Sequence, residues 1–307
     1  MRILLLAAIT VRITLIHNPG AGRQPAGDAA KLRKLLSDAG YELRYQSAKE
    51  DGWKRALKKP ADLIVVAGGD GTVAKVTRRM VGRGVPIGVL PSGTANNIAR
   101  TLGLHERPFE ELVRSWERPR RVKLDVGVAA GPWGERYFVE GVGAGLFASQ
   151  LAKPASGKLK KRRTPVESGL RRLRKEAARA EPLELHATLD GEDISGRYLL
   201  LEAVNLPYVG PNLHLEQDSQ PGDGQFDVVL VTEAERDRLL YYLEHWQDNR
   251  ERLAVLPTRR GRRLQIEWTG FALHIDDKLR PKAKAKEIAG LVEARIDGAA
   301  VEFLVPA

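Results

Sequence analysis

The chain has 307 residues, 43% of them hydrophobic and 29% charged, and no cysteine. At roughly 150 residues per domain there is room for two domains with cores of their own. A disulfide-stapled scaffold, a disordered polymer, thiolate metal sites and cysteine nucleophiles are excluded. Fifty Lys and Arg against 39 Asp and Glu give a net charge of +11, and residues 153–179 alone carry eleven basic and two acidic side chains. An anionic partner, whether phosphate ligand, nucleic acid or membrane surface, is therefore expected to meet one segment in particular.

The apolar start at residues 3–9 is far shorter than the roughly 20 residues of a bilayer span, and Arg12 follows it. No small-residue cleavage site precedes the next strand pattern, so the stretch reads as an extension or strand edge, not a signal peptide.

From Val11 to about Leu124, short apolar runs alternate with amphipathic stretches, the pattern of a parallel sheet covered by helices. The pattern predicts strands over 12–17, 41–46, 62–67 and 86–90, and helices over 28–39, 52–58, 72–81, 94–102 and 109–116. Gly40, Gly82, Gly84 and Gly103 stand where helices should end. After Arg121 the runs shorten and Gly, Pro and Asp turns separate them, predicting strands over 122–128, 136–140, 183–190, 198–204, 226–232, 264–269, 271–275 and 301–305. Two helices, 165–180 and 233–251, interrupt them. The expected fold is an α/β N-terminal domain, an open and mostly parallel sheet with helices on both faces, over 11–122. A mostly antiparallel β-sandwich follows over 123–295 with a basic helical insertion at 151–180, and a final strand within 296–307 is placed to return to the first domain.

The most informative segment is Leu63-Ile64-Val65-Val66-Ala67-Gly68-Gly69-Asp70-Gly71-Thr72-Val73, a buried strand running into three glycines and a helix. Backbone without Cβ atoms can approach a ligand closely, and the free amides of a helix start attract an anion. Asp70 would be repelled by phosphate unless it holds a cation or accepts a proton, which points to Mg²⁺, directly or through water. Thr72 is placed to cap the helix. A second loop, Pro91-Ser92-Gly93-Thr94-Ala95-Asn96-Asn97, offers hydroxyls from Ser92 and Thr94, and a third, Asn18-Pro19-Gly20-Ala21-Gly22, ends the first strand. All three would gather at the carboxyl ends of parallel strands, the usual ligand crevice of such sheets.

The Asn18-Pro19 and Gly22 loop, the Gly68-Gly69-Asp70-Gly71-Thr72 pentapeptide, and the second loop followed by Ala99-Arg100-Thr101-Leu102-Gly103 together resemble lipid kinases of the diacylglycerol kinase and sphingosine kinase type. Asn205, Gly210, Asp223-Gly224 and Phe226-Asp227-Val228-Val229 are similar to that family's sandwich domain. The resemblance implies ATP in the interdomain cleft, touching Asn18, Ser47, Gly68, Gly69, Asp70, Gly71, Thr72, Thr94 and Asn96. It also implies Mg²⁺ at the turn of Asp223, with backbone oxygens from Gln220 and Gln225. Two departures touch the chemistry. The family's Asn-Asp after the second loop is Asn96-Asn97 here, and its late Asp-Gly-Glu, whose Glu is the proposed base, is Asp276-Asp277-Lys278. Protonated Lys278 cannot accept a proton at neutral pH without a large pKa depression, which leaves Asp276 and Asp277 as the carboxylates of that motif.

The expected activity is ATP- and Mg²⁺-dependent phosphorylation of a hydroxyl on a lipid or lipid-like substrate. Two alternatives stand beside it, a nucleotide- or lipid-binding homologue impaired in catalysis and an NAD kinase-like enzyme of soluble metabolites. Basic residues near an anionic bilayer each contribute about 1 kcal/mol. The expected setting is the cytoplasm with peripheral contact at the inner membrane face, ranked above nucleic acid because no nucleic-acid motif appears.

Overall fold

The computed structural model describes residues 10–22, 28–152, 164–216, 219–246, 256–281 and 289–307. In chain order the first domain consists of β1 (Arg12–His17), α1 (Ala29–Asp38), β2 (Glu42–Ser47), α2 (Trp53–Ala56), β3 (Leu63–Gly68), α3 (Asp70–Met80), β4 (Ile87–Pro91), α4 (Asn97–Thr101), α5 (Phe109–Ser115) and β5 (Arg120–Asp125). Its sheet runs β2-β1-β3-β4, then the C-terminal strand Ala300–Val305, then β5. The first four are parallel, with Leu15 beside Tyr45 and Val65, whereas Ala300–Val305 pairs parallel with β4 and antiparallel with β5. β3 is buried at every position, as an unbroken Leu-Ile-Val-Val-Ala run in a sheet covered on both faces requires. The last strand thus belongs to the first domain's core through Val301, Phe303 and Leu304.

The second domain begins with β6 (Gly127–Gly131), β7 (Gly134–Phe138), β8 (Gly141–Gly145), α6 (Leu146–Ala152) and α7 (Pro165–Ala177). β6 and β7 join a six-stranded antiparallel sheet with strands such as Arg263–Trp268 and Gly290–Arg295. β8 lies inside a seven-stranded sheet beside Gly196–Val204 and Leu273–Ile275. The sheets share a core that includes Phe138, Leu201, Phe226 and Trp268. On the outer face of the seven-stranded sheet, α6, α7 and the helix Arg236–His245 form a third core around Leu173, Leu200, Val229 and Leu239.

Several boundaries differ from the sequence expectation for identifiable reasons. The predicted strand 122–128 is two strands, β5 and β6, in different domains, and 183–190 is likewise Leu183–Leu185 in one sheet and Ala187–Leu189 in the other. Leu185 and Ala187 are both buried in the shared core, so the apolar pattern runs through the bend and conceals it. α3 starts at Asp70 with extended Gly69 as its uncapped N-cap, so Thr72 is a third helical residue and not the cap. α4 is shorter than predicted because Asn96 stands at φ +54°, in the left-handed region. β8 was invisible as a strand because Gly-Val-Gly-Ala-Gly has low strand propensity. The glycines are required by packing, since a Cβ on Gly143 would stand 1.8 Å from Glu202 Oε2. The basic stretch 153–163 and the end of the predicted helix 233–251 lie outside the described residues.

Candidate active site

The three glycine loops converge at the carboxyl ends of β1, β3 and β4. A Cβ on Gly69 would stand 2.9 Å from Gly93 Cα, and one on Gly22, at φ +74°, would stand 2.3 Å from the Ser92 carbonyl oxygen. The loops therefore touch backbone to backbone, an approach only glycine permits. Gly71 differs: nothing lies within 4 Å of a Cβ built there, although the residue lines a cavity. Open space over the first turn of α3 is what an anion held by helix-start amides would fill.

Several residues expected to touch nucleotide also hold this frame. Asn18 Nδ2 donates to Thr72 Oγ1 at 3.1 Å while its Oδ1 accepts from Gly20 N. Asn96 is buried, with its amide spent on both backbone groups of Gly93 at 2.9 Å. Ser47, buried at the end of β2, accepts from Lys49 N. Thr94 is exposed, and Ser92 Oγ is enclosed without a hydrogen-bond partner. Asp70 Oδ1 accepts from Ile98 N at 2.9 Å. The charge the sequence reading assigned to a cation is thus met by the amides opening α4. Burial pushes the Asp70 carboxyl up, and those amides oppose the shift.

Beside the loops lies a cavity of about 970 Å³ between the domains. Its floor carries the carboxyls of Asp70, Glu140, Glu202, Asp276 and Asp277. One wall is apolar, with Phe147, Leu151, Val209 and Pro211, and α7 adds Arg172 and Lys175. The charged segment expected to meet an anionic partner therefore lines the cleft. His274 at the floor bonds Glu202 Oε2 through Nε2 at 2.8 Å and the Asp276 carbonyl through Nδ1 at 2.9 Å.

The three residues of the late motif separate. Asp276, at φ +49°, is buried, accepts from the amides of Val139, Glu140 and Gly141, and pairs with Arg78 of α3. With its lone pairs engaged it builds the floor and is a poor candidate for the base. Asp277 lines the cleft and pairs with Lys278 at 2.7 Å, both partners about half exposed. Sequence reasoning missed Glu140, Glu202 and His274, and took Arg172 and Lys175 only as part of the basic segment. For Glu140 a signal existed, a lone acid inside the apolar run Phe138-Val139-Glu140-Gly141-Val142.

At the turn implied to hold Mg²⁺, Asp223 Oδ1 accepts from Gln225 N at 2.9 Å, its other oxygen pairs with Arg260, and its amide donates to the Gln220 carbonyl. Asp227 shares Arg260 at 3.2 Å. A guanidinium thus supplies the positive charge there, and no group of three carboxylate or imidazole ligands able to hold a metal forms among the described residues. The turn as built does not fit an ion.

The family model of the diacylglycerol kinase catalytic domain matches residues 12–129. The chain is 28% identical over 238 residues to the diacylglycerol kinase of Bacillus subtilis (strain 168), covering 73% of this chain and 74% of that protein. It is 24% identical over 286 residues to the diacylglycerol kinase of Mycobacterium tuberculosis (strain H37Rv), covering 86% and 88%. A solved chain from Bacillus anthracis str. Sterne superposes with a TM-score of 0.71 at 20% identity, covering 98% of each chain, and a diacylglycerol kinase structure from the same organism does so at 0.68 and 21%, covering 97% and 98%. These two likenesses bear on the fold. The match of the diacylglycerol kinase catalytic-domain model over residues 12–129 and the two curated relatives together support a diacylglycerol kinase-like lipid kinase family for the chain.

Proposed function

We propose that the chain transfers the terminal phosphoryl group of ATP, supplied with Mg²⁺, to a hydroxyl of a lipid or lipid-like acceptor. The observation that carries this reading is the open backbone over Gly71 at the start of α3, set between touching glycine loops and facing a carboxyl-floored cavity with an apolar wall. Helix-start amides favour the phosphates, and the apolar wall favours an acyl or alkyl chain. Mg²⁺ bound to the nucleotide would neutralise phosphate charge, and the chain places the reactants and excludes water.

Among the described residues no helix is long and apolar enough to cross a membrane. Arg172 and Lys175 at the cavity, with the exposed Arg171 beside them on α7, support contact with an anionic bilayer. The setting that suits ATP and such a surface is the inner face of the cytoplasmic membrane.

The test is ATP turnover by the purified chain with Mg²⁺ on a panel of diacylglycerol, sphingoid and phospholipid acceptors in anionic vesicles. Acceptor-dependent ADP release and a phosphorylated lipid support the reading. The departure at Lys278 supports one second reading, a homologue that binds nucleotide without transferring it, and nucleotide binding with no turnover on any acceptor decides for that. Phosphorylation of NAD alone would reassign the chain to soluble metabolites.

A further inference from the structure

Glu140 sits where the chain crosses from β7 in one sheet to β8 in the other, and it is pinned on both sides. Its amide donates to Asp276 Oδ1 at 2.8 Å and its carbonyl accepts from Asn205 N at 2.9 Å. Asn205 is itself buried and donates to the carbonyls of Asp125 and Val139, which fixes the domain junction. The carboxyl lines the cavity with Asp70 and Asn97. Position in the bend between β7 and β8, pinned on both sides, gives the side chain little freedom to wander.

The other floor carboxyls are committed. Asp70 is tied to α4, Asp276 to three amides and Arg78, Glu202 to His274, and Asp277 to Lys278. Among the described residues no Lys, Arg or His pairs with Glu140; Asn97 hydrogen-bonds its carboxyl, and Asp70, Asp276 and Asp277 are its charged neighbours. Asn97 Nδ2 donates to the Gly210 carbonyl at 3.0 Å, while its Oδ1 is buried with no hydrogen-bond partner. Asn97 is also the position at which the family resemblance leads one to expect a carboxylate. The carboxyl absent from α4 thus has a counterpart facing it from the sandwich side.

On the kinase reading given above, we infer that Glu140 is the general base that accepts the acceptor hydroxyl's proton, in the role that Lys278 cannot fill. The step balances: the O–H proton passes to the Glu140 carboxylate, the acceptor oxygen forms a bond to the terminal phosphorus, the bond to the bridging oxygen breaks, and ADP leaves with that electron pair. The proton is then lost to solvent, to which the residue remains partly open. Crowding by protein on its other sides, with three neighbouring carboxyls, pushes the Glu140 carboxyl well above the ordinary glutamate range. An upward shift raises the proton affinity that a general base brings to the step.

The test compares wild type with Glu140→Gln and Glu140→Asp in the vesicle assay, with MgATP affinity measured separately. A glutamine keeps the size and hydrogen bonding of the side chain but cannot take the proton, whereas aspartate can, from a slightly withdrawn position. Expected for Glu140→Gln is a kcat about 10²–10⁴-fold lower, with KM and nucleotide affinity within about threefold of wild type, and for Glu140→Asp an intermediate kcat. Glu140→Gln within about tenfold of wild type, equal losses in the two variants, or a loss confined to KM would each overturn the assignment. Absence of wild-type turnover on every acceptor removes the kinase reading and the base with it, whereas turnover indifferent to Glu140→Gln removes the base alone.

Discussion

Arg78, on α3 of the first domain, forms an ion pair with Asp276, on the turn that floors the cleft in the second. The Asp276 side chain is 2% exposed, so this pair joins the domains with one charge fully withdrawn from water. Burial pushes the Asp276 carboxyl up, while Arg78 and the amides of Glu140, Val139 and Gly141 hold it down. Removing the guanidinium leaves that charge uncompensated, which typically costs about 3–5 kcal/mol. Arg78→Leu is therefore expected to be destabilised by roughly that amount at pH 7–8. Without Arg78 the folded-state pKa rises further, so the deficit against wild type is full above the variant's raised value and shrinks on acidification, when the carboxyl is protonated in both proteins. Urea unfolding of both proteins at pH 5 and pH 8 checks this; an equal deficit at the two values contradicts it.

The contrast between Gly69 and Gly71 separates fold from ligand. A Cβ at position 69 meets backbone, Gly93 Cα at 2.9 Å, and backbone does not yield cheaply. Gly69→Ala is expected to lose about 1–3 kcal/mol of stability as well as nucleotide affinity. At position 71 nothing of the protein is near. Gly71→Ala, early in a helix, is expected to keep or slightly gain stability, by up to about 1 kcal/mol, while its methyl group occupies the space proposed for phosphate and weakens MgATP binding at least tenfold. Thermal melts and calorimetric titration of both variants give the two readouts. Unaltered affinity in Gly71→Ala would move the nucleotide elsewhere.

His274 presents both ring nitrogens to acceptors, the Asp276 carbonyl and Glu202 Oε2, so both bonds are made only by the imidazolium facing a carboxylate or by a protonated Glu202. Burial favours the neutral ring, but the Glu202 carboxylate and the Asp276 carbonyl outweigh it and the His274 pKa is raised. A folded pKa above the unfolded value near 6.5 means the associated stability is complete below about pH 6.5 and is lost as pH rises through the folded value. Stability to urea is expected to decline from about pH 6.5 upward, and His274→Gln is expected to lack that part of the slope while starting from a lower level. A His274 ring resonance titrating at or below the ordinary range would contradict the sign.

Much of this was legible beforehand. The unbroken apolar run 63–67, ended by three glycines, reads as a strand covered on both faces that leads into a close backbone approach, so the parallel strands of the first sheet and their loops followed from local pattern. The cleft floor was not legible, because its residues meet through sheet pairing. Asp276 reaches Val139 and Glu140 across 137 and 136 positions, and His274 reaches Glu202 across 72. The turn-building role of Asn96 was hidden for a related reason: the same asparagine that suits a ligand also suits a turn, and here both ends of its amide close on Gly93.

Lys278 is where the motif departs most and where the geometry gives the departure least weight. Its ammonium pairs with Asp277 at 2.7 Å with both side chains about half exposed, and such pairs contribute at most about 1 kcal/mol. The cleft floor is closed by Asp276, which the substitution does not touch, and Glu140 faces the cavity from a separate crossing of the sheets. If the base is Glu140, Lys278→Glu should change kcat by less than about tenfold and Tm by no more than about 4 °C, the equivalent of that 1 kcal/mol. If the motif's third position must carry the carboxylate, the same variant should raise turnover by the 10²-fold or more that general-base catalysis supplies. Measuring kcat for Lys278→Glu alone and together with Glu140→Gln separates the two: a double variant as slow as Glu140→Gln keeps the proton acceptor at position 140, and one restored to or above wild type transfers it to position 278.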